Sequence, residues 1–117
     1  MAEPCLPIQA YHGHVKNLLE KGVDRLFIPN LINAATPFTD LNSFYCLWGQ
    51  TLPFVVRQSA AFAADGDRIL APNLRFREGR DSVARSLSAC LAPLGCGRRQ
   101  VERAVDLAYQ AQAQFQQ

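Results

Sequence analysis

The sequence predicts an α/β fold, a small parallel sheet with crossover helices that forms a fragment of a larger doubly wound, Rossmann-like domain. The first observation is a repeat: DRLFIPNL at positions 24–31 recurs 43 positions later as DRILAPNL at positions 67–74. The second is that each copy follows a helix-like stretch, and each such stretch follows a Cys-Leu pair, at Cys5 and at Cys46. A repeated helix-to-strand unit is typical of parallel strands joined by helices.

The first helix–strand unit spans residues 8–31. Helical spacing of apolar residues predicts a helix from Ile8 to Lys21, which Gly22 ends (Ile8, Tyr11, Val15, Leu18 and Leu19). The apolar run from Asp24 to Pro29 is typical of a strand covered on both faces. Residues 30–45 have mixed polarity and predict a loop, whose length of about 16 residues is characteristic of functional or mobile loops.

The second unit spans residues 49–74. A helix is predicted from Gly49 to Ala64, with Pro53 in its first turn, and a strand from Arg68 to Ala71. A charged connection from Leu74 to Asp81 follows.

Two helices complete the predicted order of elements. Ser82 is expected to cap a helix from Val83 to Leu91, and Pro93, Gly95 and Gly97 separate it from a last helix running from Arg99 to about Phe115. We therefore expect residues 1–117 to form one α/β domain or part of one. Because a two-stranded parallel sheet is thin, we expect a longer polypeptide or a partner subunit to complete it.

Composition excludes several classes of function. The chain of 117 residues is 49% apolar and 19% charged, with a net charge of +2, which is typical of a globular domain. Its arginines are scattered, and the run Arg75, Arg77 and Arg80 is interpreted as a solvated helix start, so no nucleic-acid partner is expected. No stretch approaches the roughly 18 apolar residues that span a bilayer. We expect a cytoplasmic protein without membrane contact.

The four cysteines are the main candidates for chemistry, and a cytoplasmic protein is expected to keep them reduced, buried or metal-bound. Cys5 and Cys46 each precede a predicted helix, where free N–H groups and the helix dipole stabilise a thiolate, the form that binds metal. Parallel strands align their ends, so the two thiols can converge at one sheet edge. Cys96 is a candidate third ligand, whereas Cys90 lies on an apolar helix face and is predicted to be a core thiol. The wide spacings match no compact metal motif.

Acid–base candidates lie near the first cysteine. His12 and His14 are two positions apart, so on a helix their side chains point about 200° apart and cannot both bind one ion unless Gly13 bends or precedes the helix start. One of them is a candidate proton donor or substrate hydrogen-bond partner, and the alternative is a packing or capping role. Glu3 is a candidate acid or base, with an exposed terminal carboxylate as the alternative.

Polar and aromatic residues surround the second cysteine. Phe44, Tyr45 and Trp48 either shield a cofactor from water or roof a core, and Gln50 and Arg57 are candidates to face a site. The sequence contains no Gly-rich phosphate loop, nucleophile elbow or zinc-binding HExxH helix.

The segment EPCLPIQAYHGHV at positions 3–15 resembles a part of the large proteins related to 2-hydroxyacyl-CoA dehydratases and their ATP-dependent activases. That family has a Glu-x-Cys-x-Pro opening, a His-Gly-His-Val helix, an Asp-led strand ending in proline, and a second cysteine followed by a Gln-x-Leu-Pro helix. The matching positions are Glu3, Cys5 and Pro7; 12–15; 24–29; and Cys46 with Gln50, Leu52 and Pro53. The strand end at Ala71-Pro72 and the closing helix also look similar. Gln9 and Leu47 stand where the family has lysine and proline.

The resemblance implies a cofactor and a reaction. Cys5 and Cys46 would be ligands of a [4Fe–4S] cluster at the carboxyl edge of a parallel sheet, with His12, His14 and Glu3 as candidate catalytic residues. The family's chemistry is a one-electron reduction, driven by ATP hydrolysis in an activase domain, that primes radical dehydration of a hydroxyacyl-CoA. This chain has no nucleotide-binding motif, so it is expected to be inactive as an enzyme alone. The other cluster ligands are expected from the remainder of a larger polypeptide or from a partner subunit.

Two other hypotheses compete with cluster binding. A non-catalytic α/β assembly domain with structural thiols would have buried, inert cysteines and would form a homodimer or depend on a partner. A zinc site formed by Cys5, His12 and Cys46 would bind metal without a redox role.

Overall fold

The structure is a computed structural model that describes residues 5–116, and it confirms a mixed α/β fold. The helices and strands follow in the order α1 (Leu6–Glu20), β1 (Leu26–Phe27), β2 (Asn30–Asn33), α2 (Leu47–Gln58), β3 (Ile69–Leu70), β4 (Asn73–Arg75), α3 (Arg80–Leu91) and α4 (Arg98–Phe115). Short 3-10 turns cover Ala63–Arg68, Phe76–Glu78 and Ala92–Leu94. Within the described residues, no helix is both long enough and apolar enough to cross a bilayer.

The sequence repeat sets the register of the sheet. β1 pairs in parallel with β3, and β2 pairs in parallel with β4. Leu26 lies opposite Ile69, and Asn30 lies opposite Asn73. The two asparagine side chains are also hydrogen-bonded, because Asn30 Nδ2 donates to Asn73 Oδ1 at 2.8 Å. Each partner is 43 positions away, as in the repeat. The two copies therefore lie side by side as neighbouring strands.

The repeated proline explains why this strand pair divides into two short ladders. The Ile28 N–H donates to the Leu70 carbonyl at 2.8 Å, and the Asn30 N–H donates to the Pro72 carbonyl at 2.8 Å. In a regular parallel ladder the Ile28 carbonyl would accept from residue 72. Proline has no N–H, so that bond is missing and the pairing is interrupted.

Two helix pairs cover opposite faces of the strands. α1 and α2 form the first core cluster with β1 and β3; its buried residues are Val15, Leu26, Ile28, Leu52, Val56, Phe62 and Ile69. α3 and α4 form the second with β4; its buried residues are Leu74, Val83, Ala84, Val101 and Val105. Because side chains alternate along a strand, residues 26 and 28 face one helix pair and residue 31 faces the other. The fold is thus a thin sheet between two helical layers.

The second helix begins and ends earlier than predicted. α2 starts at Leu47, so Pro53 lies inside the helix and not in its first turn, and its side chain is fully buried. The helix ends at Gln58, because Ser59 is extended (φ −63°, ψ 130°) and the chain turns to bury Phe62 in the first cluster. That tertiary contact overrides the helical spacing that predicted a helix to Ala64.

Three further predictions about local structure are wrong. The predicted loop 30–45 begins with β2, and the predicted charged connection 74–81 contains most of β4. Asn30 and Leu31 extend the strand because they lie opposite their repeat partners Asn73 and Leu74, and the register then shifts so that Asn33 lies opposite Arg75. Ser82 does not cap α3, which starts at Arg80 after Gly79 (φ 85°); the Ser82 Oγ instead donates to Glu78 Oε2 at 3.0 Å.

Groups from the chain itself cover parts of both sheet edges. Because Leu70 bonds to β1, the backbone groups of Ile69 and Ala71 point away from it. The Ile69 carbonyl accepts from Arg57 Nη2 at 2.5 Å. On the other side, residues 43–45 fold back along β2. These contacts occupy positions that an added strand would use.

Despite this covering, the domain leaves much apolar surface open. Its radius of gyration is 15.7 Å, larger than the roughly 13 Å of a compact chain of this length. Its extents of 39 × 37 × 23 Å describe a flattened body. Large apolar side chains such as Phe27, Phe54 and Leu107 are about half exposed.

We expect neighbouring valines of α2 to differ sharply in their contribution to stability. Val56 is 0% exposed and Val55 is 40% exposed. Val56→Ala should lower the free energy of unfolding by about 2 kcal/mol, since it removes buried methyl groups and leaves a cavity. Val55→Ala, the matched control, should change it by less than about 0.5 kcal/mol. Urea denaturation of both variants checks this, and equal effects would contradict the packing of α2.

Candidate functional site

Cys5 and Cys46 occupy the same position in the two repeated units. Each is the N-cap residue of its helix, with extended backbone (ψ 157° and 135°), and neither makes a side-chain capping bond. Their carbonyls start the helices by accepting from Ile8 at 2.9 Å and from Gln50 at 3.0 Å. Both side chains are exposed. The repeat therefore extends from the strands to the thiols.

The surroundings of Cys46 are tied to the end of β2. The Tyr45 N–H donates to the Ile32 carbonyl at 3.0 Å, and Gln50 Nε2 donates back to the Tyr45 carbonyl at 2.7 Å. Gln50 belongs to the Gln-x-Leu-Pro motif, whose Leu52 and Pro53 are buried in the core. The motif thus anchors the residue before the thiol and fixes α2 beneath it.

Exposed apolar side chains flank both thiols. Leu6 and Leu47, which follow the cysteines, are 75% and 76% exposed. Phe44, Tyr45 and Trp48 are also exposed, so they do not roof the core. No residue from 41 to 56 carries a charge. Large exposed apolar side chains concentrated in one uncharged segment indicate a surface for a ligand or another protein.

His12 and His14 lie in different environments, as their spacing predicts. His12 is half-buried and stacks on Phe62, with ring centroids 6.4 Å apart and an interplanar angle of 28°. Its Nδ1 lies 2.8 Å from the Ile8 carbonyl, and because a carbonyl only accepts, Nδ1 carries the proton. Nε2 is therefore left as the acceptor of the neutral ring. His14 is exposed. The candidate acid Glu3 lies outside the described residues.

The structure does not bring together the three residues of the zinc hypothesis in the part of the chain that it covers. Within residues 5–116, no three His, Cys, Asp or Glu side chains come together as a metal-binding group. Cys5, His12 and Cys46 therefore do not form a site by themselves. Cys96, the candidate third ligand, packs instead against the cluster of α3 and α4 because it is half-buried between those helices.

Cys90 differs from the two N-cap thiols. It is half-buried on α3, and burial raises the pKa of the Cys90 thiol, opposed by the charge of Arg57 and by the Ala71 N–H. Arg57 belongs to α2, and Ala71 directly follows β3. Cys90 is thus a packing thiol at the junction of β3 and α3, less completely buried than predicted.

One arginine contacts the loop that precedes Cys46 without being recognisable from the sequence. Arg77, interpreted as part of a solvated helix start, donates hydrogen bonds to the loop that precedes Cys46. No local pattern distinguishes it from Arg75 or Arg80, because its partners lie 36 and 38 positions away.

The chain belongs to a family of activase-related domains. Residues 1–117 match the family described as the CoA enzyme activase uncharacterised domain (DUF2229). No curated protein and no solved structure matches the chain. The resemblance drawn from positions 3–15 and from the second cysteine motif is thereby confirmed at the level of the family.

We expect the thiols to fall into two reactivity classes. In the native chain at neutral pH, iodoacetamide should modify Cys5 and Cys46 about tenfold or more faster than Cys90, which is half-buried and less readily ionised. Mass spectrometry of the cysteine peptides gives the individual rates. In denaturing urea the rates should become similar, and a slow Cys5 or Cys46 in the native chain would contradict their exposure.

Stability should decline in alkaline solution. Burial raises the pKa of Cys90, Tyr11 and Tyr109 in the folded chain. The unfolded chain therefore loses these protons at lower pH than the folded chain does. The contribution of these groups to stability is fully present below the ordinary thiol pKa of 9.0 and is lost as the pH rises through the raised pKa values. Urea midpoints measured between neutral pH and pH about 10.5 test this. Cys90→Ala should flatten part of the decline, and a midpoint that rises with pH would contradict it.

Proposed function

We propose that this domain supplies two thiolate ligands, from Cys5 and Cys46, to an iron–sulfur cluster of a CoA enzyme activase-related redox protein. The cluster class is [4Fe–4S], and the remaining ligands come from the rest of the polypeptide or from a partner subunit. The domain alone is not an active enzyme.

The observation that carries the proposal is the matched pair of exposed N-cap cysteines. Each helix runs antiparallel to the strand that follows it, so the start of the helix lies towards the carboxyl end of that strand. Equivalent residues of two adjacent parallel units therefore lie towards the same edge of the sheet. The thiols make no capping bond and contribute to neither core, so packing does not account for them. Free N–H groups at a helix start favour a thiolate, which is the ligand that iron–sulfur clusters take.

Donor type and donor number support different parts of this proposal. Thiolate sulfur suits iron, and a [4Fe–4S] cluster takes four such ligands. The chain offers two exposed thiols, half of that set. The uncharged apolar surface around them would exclude water once another domain covers it, and burial of this kind tunes a cluster's reduction potential.

His12 is the stronger of the two histidine candidates beside the cluster. It follows Cys5 by seven positions, two helical turns, and so lies on the same side of α1. Its bond to Ile8 fixes the ring and leaves Nε2 to take up and deliver a proton. His14 lies on another side of the helix and is proposed only for an exposed acid–base step.

A second candidate function is an assembly domain without a cluster. The observation that favours it is the flattened shape with its exposed apolar side chains. The assembly-domain hypothesis drawn from the sequence requires buried, inert thiols. The exposure of Cys5 and Cys46 argues against that requirement. A surface for another domain is compatible with either function.

Anaerobic reconstitution with iron and sulfide tests the proposal. A longer polypeptide or complex that supplies the remaining ligands should develop a broad absorbance at about 400 nm. Cys5→Ser and Cys46→Ser should each lower bound iron by at least about half, because each removes one of the proposed ligands. Cys90→Ala, a matched control at a packing thiol, should leave iron content unchanged.

The variants also separate the alternatives. Iron that is retained in both serine variants of the longer polypeptide would exclude Cys5 and Cys46 as ligands. Loss of iron in Cys96→Ser would add that residue to the ligand set. A folded longer polypeptide that takes up no iron would favour the assembly domain.

A further inference from the structure

We propose that Arg77 is the positioning residue for Cys46, holding the loop of residues 34–46 in one arrangement at the end of β2. The contacts described below support the role of Arg77 in fixing the loop. The importance of this role for a cluster rests on the proposed function.

Both ends of the loop are fixed by short-range contacts. The Ala34 N–H donates to the Ser43 carbonyl, and the Ser43 Oγ donates to the Ala34 carbonyl, each at 2.8 Å. Asn33 and Phe44 form an antiparallel bridge. These bonds close the base of the loop but leave its tip, residues 35–42, without a contact to either core cluster.

Arg77 reaches that tip from the 3-10 turn that follows β4. Its Nη1 donates to the Leu41 carbonyl at 2.9 Å, and its Nη2 donates to the Thr39 carbonyl. The two carbonyls flank Asp40, yet no carboxylate of the described residues forms an ion pair with Arg77. The planar guanidinium is thus used as a two-pronged donor to backbone, which a lysine ammonium cannot reproduce.

The backbone of the same residue is bonded to β2. The Arg77 N–H donates to Oδ1 of Asn33 at 3.0 Å, and Asn33 is 7% exposed. One residue therefore joins the exit of β4, the end of β2 and the loop tip. Since Cys46 directly follows Tyr45 and the base of this loop, a released tip would leave the bonds of Ser43, Phe44 and Tyr45 alone to restrain the segment before the thiol.

The experiment compares Arg77→Ala and Arg77→Lys with Arg75→Ala. Arg75 lies two positions earlier, pairs with Glu78 at 3.4 Å and has no hydrogen bond to the loop among the described residues. Hydrogen exchange is followed in peptides from the loop and from α1. A nitroxide label is placed on Cys46 in a Cys5→Ser background, and on Cys5 in a Cys46→Ser background, without iron.

Arg77→Ala should speed amide exchange of residues 34–46 about tenfold or more, since two hydrogen bonds are lost. The label on Cys46 should become more mobile, whereas exchange in α1 and the label on Cys5 should match wild type. Arg77→Lys should fall between, because an ammonium retains one contact. Arg75→Ala should behave as wild type.

The proposal is overturned if loop exchange in Arg77→Ala stays within about twofold of that in Arg75→Ala. It is also overturned if both labels gain mobility equally, which indicates general loosening. If Arg77→Ala does not fold, the same criteria apply to Arg77→Lys. Because no iron is present, the result is independent of the reconstitution experiment. The Arg77 proposal and the cluster proposal can therefore fail separately.

Discussion

The parallel pairing of the two repeated segments is the constraint on which the rest of this structure depends. With residues 26–27 and 30–31 each paired to the residue 43 positions later, the prolines, the asparagines and the buried apolar residues of the two copies lie side by side. The helices before the strands are then brought into neighbouring positions, since α1 and α2 share one core cluster. The matched setting of Cys5 and Cys46 follows from that pairing.

The pairing is weak by itself, and arginines reinforce it. Each ladder has only two to four residues per strand, and Pro72 removes a bond between them. Arg57, Arg68 and Arg77 each donate to a backbone carbonyl in another segment, at Ile69, Val23 and the loop tip respectively. A hydrogen bond from a charged donor is stronger than a neutral one. Long side chains thus supply part of the bonding that a wider sheet would supply through neighbouring strands.

The two helix pairs differ in how they hold their cysteines. α3 and α4 form a cluster that contains Cys96 and sits beside Cys90, so two of the four thiols are taken into packing. α1 and α2 carry the other two thiols on an exposed apolar surface. Under the proposed function, this surface is where another domain and the cluster would meet.

The sequence alone determined the α/β class, the four helices to within a few residues at most ends, and the family. The class and the helices follow from helical spacing, glycine and proline breaks and the repeat, whereas the family follows from the resemblance of the motifs at positions 3–15 and at Cys46. It also singled out Cys5 and Cys46, because a thiol before a helix is recognisable from its neighbours. The tertiary structure alone decided that polar residues 30–33 form a strand, that α2 ends at Gln58, and that Arg77 holds the loop. Each depends on a partner distant in the chain, whether a paired strand, a buried Phe62 or a carbonyl, and local sequence does not encode such partners.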